Sequence, residues 1–106
     1  MATGILGQAS LTAGTNTTIY TVPATTFSIV SVHICNRGTS TATVRLALAS
    51  SATPTNGEYI EFDAQLETYG TLERTGIVMN TGKLLVAYSN SSNISVTAFG
   101  IETSTV

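Results

Sequence analysis

A chain of 106 residues with one cysteine, no tryptophan and 9% charged residues is long enough to form one domain around a real core, and it cannot be a disulfide-stapled scaffold. Charged residues make up about 25% of typical globular chains. The four basic and six acidic residues found here, net −2, cannot form the basic stripe that neutralises nucleic-acid phosphates. The opening MATGILGQAS has no basic stretch and no apolar core of a signal peptide, and no apolar run approaches the length of a bilayer span, so neither secretion nor a membrane partner is expected.

In chain order, the runs read as strands. GILGQA (4–9) is a brief first segment, and NTTIYTVP (16–23) is a strand stopped by Pro23. TFSIVSVHICN (26–36) is apolar on both faces: Phe27 and Ile29 point one way, and Val30, Val32 and Ile34 the other. It is expected to be central and buried on both sides. TATVRLALA (41–49) alternates, with Val44, Leu46 and Leu48 inward and Thr43, Arg45 and Ala47 outward. GEYIEFDAQL (57–66) places Ile60 and Phe62 on one face and Tyr59, Glu61 and Asp63 on the other, with Glu58 opposite Glu61.

TLERTGIVM (71–79) sets Leu72, Arg74, Gly76 and Val78 against Thr71, Glu73, Thr75 and Ile77, with Gly76 marking a bulge or a close approach. KLLVAYS (83–89) and NISVTAFGIE (93–102) complete the set. The last puts Ile94, Val96 and Ala98 opposite Ser95, Thr97 and Phe99. Turn residues separate the runs at NRGTST, SSATPTNGE, TYGT, NTGK and SNSSN. The helical period is absent, and Thr, Ser, Val and Ile dominate. The expected fold is a single all-β domain over 1–106, an antiparallel β-sandwich of about eight strands with jelly-roll or immunoglobulin-like order. The short segments 1–7 and 102–106 are small or polar, and are expected to be loose unless they reach a neighbour.

Polar surface is supplied by Ser and Thr, roughly three residues in ten, well above ordinary abundance. With a mean hydropathy of +0.28 and net charge of −2, the chain has weak protection against self-association. A subunit covered by copies of itself or by other partners is favoured over a free monomer.

Three constellations could carry chemistry. His33 and Cys35, two residues apart, share one face of a strand, and Arg37 extends the row. A Cys-His nucleophile pair needs exposure and an orienting group, and a metal site needs three or four ligands. The chain holds one His and one Cys, so a small buried thiol beside a half-buried imidazole is the favoured reading. Glu61 and Asp63 could act as paired carboxylates or hold calcium, but a strand is the wrong setting for a calcium loop, and ion pairs with Arg45 or Arg74 are favoured. Tyr20, Tyr59, Tyr69 and Tyr88 could form a sugar-stacking row, though tyrosines at sheet rims are the commoner arrangement. No phosphate loop, nucleophile elbow or zinc-protease helix is present in the sequence. Catalytic, cofactor-binding and metal residues are therefore all assigned as none, and no enzyme activity is expected.

The Leu-Gly-Gln opening, TNTTIYTVP, the strand ending ICNRG, TATVRLALA, EYIEFD, LERTGI and ISVTAFGIE fall in an order that resembles a group of small tailed-phage virion structural proteins. The similarity covers nearly the whole chain. It implies a structural role without chemistry, in a virion assembled from protein made in the host cytoplasm. A capsid decoration (cement) protein is the first placement implied, since the domain is small, single and useful only in many copies. Its partners would be the major capsid protein and copies of itself in a homo-oligomer, a trimer among the arrangements allowed, with no nucleic acid and no membrane. The second placement is a tail, baseplate or fibre accessory module that binds a host-surface glycan or another tail protein.

Overall fold

Strands form where Thr, Val, Ile and aromatic side chains alternate with small polar ones, because such residues fit a half-buried pleated surface. The computed structural model describes residues 2–106. It contains β1 (Thr3–Ser10), β2 (Thr17–Thr21), β3 (Thr26–Asn36), β4 (Ala42–Ala49), β5 (Tyr59–Leu66), β6 (Thr71–Met79), β7 (Leu84–Ser89) and β8 (Ile94–Ser104). One 3-10 turn, Asn56–Glu58, precedes β5. The strands make two antiparallel four-stranded sheets, in the orders β1-β8-β3-β6 and β2-β7-β4-β5. These interleaved orders are those of a jelly roll, which selects between the two arrangements that the sequence leaves open.

The core lies between the sheets. Val30, Val32 and Ile34 of β3, Ile94, Val96 and Ala98 of β8, Val44 and Leu46 of β4, and Leu85 and Ala87 of β7 all meet there, fully buried. Burying each of the larger side chains contributes about 1.5–3 kcal/mol. The inward and outward sets expected for β4 and β8 are the ones observed.

Three expectations need correction. β3 is central but buried on one face only: Ile29, on the other, keeps 41% of its surface exposed. In β6 the bulge at Gly76 (φ +69°) shifts the register against β3 between Val30 and Val32. The alternation therefore inverts past that point: Ile77 and Met79 turn inward, and Val78 turns outward. In β5, register shifts against β4 and a positive φ at Asp63 (+53°) put Phe62 and Asp63 together on the outer face. Glu61 goes to the other side.

Strand extends into both end segments. Thr3–Gly7 belong to β1 and Glu102–Ser104 to β8, each held by its neighbour in the sheet. Met1 lies outside the described residues.

Two close approaches shape the sandwich. A Cβ on Gly7 would stand 2.0 Å from the Ile19 carbonyl oxygen, so only glycine lets β1 touch the backbone of β2 and close that edge. At the opposite edge, Arg74 of β6 pairs with Glu61 of β5 at 2.5 Å, joining the two sheets. Buried polar groups tie the ends. The Asn36 amide donates to the carbonyls of Ser40, Leu66 and Glu67, and its oxygen accepts from the Gly38 N–H. The Tyr20 hydroxyl donates to Glu102 at 2.6 Å and lies 2.6 Å from the Ser28 hydroxyl, linking β2 to β8 and β3. Burial, and then the bond to Glu102, push the Tyr20 phenol up to about 12. The same bond and the Ala2 N–H hold the Glu102 carboxyl below its usual range.

Two predictions follow from these contacts. Gly7→Ala should lower the unfolding free energy by about 3 kcal/mol, the upper range for overpacking against a backbone that cannot yield, as read by urea denaturation. Because the native state favours the neutral Tyr20 phenol, that contribution is complete below pH 10, the ordinary phenol value, and is lost as pH rises towards 12. Denaturation across that alkaline window should show a falling stability that is shallower in Tyr20→Phe. Equal slopes would show that the Tyr20 phenol does not carry the effect.

Candidate functional site

The uninterrupted pairing of β3 with β8, from Thr26 opposite Ser104 to Asn36 opposite Ile94, assigns every odd residue of β3 to the outside of its sheet. That outer face has two halves. In one, the cross-strand rows are Val78–Ile29–Ile101–Thr3 and Ser31–Phe99–Ile5, with Phe27 beside Thr103. Ile5 and Val78 are 64% and 66% exposed, and Ile29, Phe99 and Ile101 are also open to solvent. Six apolar side chains on four strands thus form a strip that contains no charge. In the other half the rows are Glu73–His33–Thr97–Gln8 and Thr71–Cys35–Ser95–Ser10.

His33 and Cys35 therefore share a face, as their spacing requires, and both are half-buried. The neighbours of Cys35 are Thr71 and Ser95, and no carboxylate stands beside it in the register. Arg37 stands one residue past the end of β3: its guanidinium reaches back to the Cys35 row, donating to the Ser10 hydroxyl at 2.8 Å, and its backbone N–H donates to the Asn93 carbonyl, fastening the β3–β4 turn to β1 and to the β7–β8 turn. Among the described residues no group of three His, Cys, Asp or Glu side chains is placed to hold a metal.

The outer face of the second sheet is different. Ala47, Ala49 and Val86 are buried there beneath Tyr59 and Leu84. The long connection from Ser50 to Glu58 closes on itself through the Glu58 carboxylate, which accepts from the N–H groups of Ser50 and Thr55. Those bonds hold the Glu58 carboxyl below its usual range. Beside this cover, Arg45 is clamped by Asp63 through two parallel bonds, Nε–Oδ1 at 2.6 Å and Nη2–Oδ2 at 3.2 Å. Its guanidinium carbon lies 4.1 Å from the Phe62 ring centre and 4.6 Å from that of Tyr88. Tyr59 meets Phe62 edge to face at 5.0 Å. An open hollow of about 450 Å³ is lined by Asn56, Tyr59 and Phe62, and Phe62 is 58% exposed.

The four tyrosines do not form one row. Tyr20 is buried, Tyr69 is exposed at the β5–β6 turn, and Tyr59 and Tyr88 flank Arg45. Phe62 completes that cluster, and its alternation with Ile60 gave no sign of it. The ion pairs expected for the acidic pair do form, Arg45 with Asp63 and Arg74 with Glu61. They lie on opposite sides of β5, so the two carboxylates do not act together. A second hollow, about 280 Å³, lies at the end of the sandwich between Gly38–Thr41 and Asn90–Asn93, lined by hydroxyl and amide groups.

No family model, curated protein or solved structure matches the chain.

Since hydroxyl-bearing neighbours surround Cys35 and no carboxylate or second thiol lies beside it in the register, Cys35→Ser should change stability by less than about 1 kcal/mol. It should leave any assembly activity intact, as measured by denaturation and by particle incorporation. Loss of incorporation with an unchanged fold would return the thiol to the list of functional groups.

Proposed function

We propose that the chain is a non-enzymatic structural subunit of a phage virion, a decoration protein held on the capsid shell in many copies. The observation that carries this reading is the uncharged apolar strip on the outer face of the β1-β8-β3-β6 sheet, a surface that a lone chain leaves in water. An exposed apolar patch of this kind marks an interaction surface, and a net charge of −2 does little to keep copies apart. The resemblance in sequence to small tailed-phage virion proteins supplies the setting, and the jelly-roll strand order is compatible with it as analogy of fold alone. In this reading each copy contacts the major capsid protein and sister copies. Modest contacts act together by multivalency, and binding to the assembled shell shifts its equilibrium towards the intact state.

The second reading, a tail or fibre accessory module binding a host glycan, is favoured by one observation: Tyr59, Phe62 and Tyr88 gather around Arg45 beside an open hollow. Aromatic faces with polar groups at their edge suit sugar rings. Copy number separates the two. Densitometry of purified particles should give many copies of this chain per capsid, and particles assembled without it should rupture at lower temperature. A handful of copies per particle, with binding of the isolated protein to host cells, would replace the decoration reading by the second.

A further inference from the structure

The two outer faces of the sandwich are unequal. One carries Ala47, Ala49 and Val86 buried under the chain's own Tyr59 and Leu84. The other carries Ile5, Phe27, Ile29, Val78, Phe99 and Ile101 with nothing of the chain's own over them. We propose that this second face is covered by the same face of a second copy, so that the subunit is an isologous dimer packed sheet on sheet.

The chemistry of the face selects a sister copy over an unlike partner. Recognition of an unlike partner draws on complementary charge, and the strip offers none, so the strip serves the contact with a sister copy and the contact with a capsid protein falls to other surfaces. Across the whole face the only carboxylate in the rows is Glu73, beside His33 at one edge. Around the strip stand Thr3, Ser31 and Thr103. A hydroxyl both donates and accepts, so a rim of hydroxyls is its own complement under two-fold symmetry, as is an apolar strip. Packing two such faces repeats the contact already made inside the sandwich, where sheets stack about 10 Å apart with strands within about 30° of each other.

The area is adequate. Four strands spaced about 4.8 Å, each eight or more residues long at about 3.4 Å per residue, cover on the order of 500–700 Å² in projection. Side chains standing in relief bring the accessible area towards the ~800 Å² per partner of a standard interface. The inference deepens the decoration reading and rests on it only for the dimer's place in a virion.

The test is sedimentation velocity of the intact protein across a wide concentration range, with circular dichroism to confirm folding. The wild-type chain should sediment as a dimer at micromolar concentration. Ile29→Glu, at the centre of the strip, should weaken association about a hundredfold or more, because symmetry buries the new carboxylate twice. Val78→Glu, at a more exposed position on the edge strand, gives the same reading if Ile29→Glu fails to fold. Phe62→Glu, on the opposite face, should leave the dimer unchanged. A monomeric wild-type protein, or an oligomer indifferent to both strip substitutions, would overturn the inference. A monomer found in many copies on particles would do so while leaving the decoration reading in place. A dimer absent from particles would do the reverse.

Discussion

The pairing of β3 with β8 is the constraint on which the rest of the molecule depends. It runs eleven residues without a register shift, and side chains alternate strictly along such a ladder. Once it is made, Val30, Val32 and Ile34 must face the second sheet with Val96 and Ala98, and Phe27, Ile29 and Phe99 must face away. The flanking strands attach to this pair with corrections: β1 shifts register between Ile5 and Gly7, and β6 between Val30 and Val32 of its partner. Each correction is an extra residue that bends the edge strand towards the other sheet. The edges then close by a bare backbone contact at Gly7 and by the Arg74–Glu61 pair.

Those corrections also mark the limit of what the sequence discloses. Alternation in TATVRLALA and NISVTAFGIE runs on strands whose own chain carries no extra residue there, and the side chains go where the period of two sends them. At Gly76 the glycine announces a bulge, but its effect on the facing of Val78 follows only from the partner strand. At Asp63 even that signal is missing, since an aspartate with positive φ looks like any other strand aspartate. Arg45 and Arg74 were legible as partners of Asp63 and Glu61 because the chain has so few cations, whereas the separation of the two pairs across β5 was not. Strand order was hidden for another reason. Neighbours such as β3 and β8 are far apart in the chain, and no local pattern encodes a pairing at that distance. Phe27 and Ile29 looked like buried residues because an apolar side chain reads alike whether its cover is its own chain or another.

The two faces of the sandwich show how one fold handles apolar surface by opposite means. On the β2-β7-β4-β5 sheet, small residues, Ala47 and Ala49, lie under Tyr59 and Leu84, and the Glu58 carboxylate fixes the connection that leads into Tyr59 with two backbone bonds. On the β1-β8-β3-β6 sheet, branched and aromatic side chains stand without such a cover, and the turns at the ends of its strands are short. Buried polar groups such as Asn36 and Tyr20 are satisfied within the chain at the two ends. The end turns are thereby tied within the chain, and the strip stays open.

β1 and β8, the first and last strands, are neighbours in one sheet. Thr3 sits opposite Ile101, the Ala2 N–H donates to the Glu102 carboxylate at 2.9 Å, and the Glu102 N–H donates to the Ala2 carbonyl. A few linking residues would therefore join the two termini, and new ones could be opened at the exposed tip of the Ser50–Glu58 connection, giving a circularly permuted chain with the same sheets. Cargo genetically attached beside Ala2 or after Ser104 emerges at the border of the apolar strip. Cargo attached to permuted termini would emerge on the opposite face, so the same domain offers two directions of display.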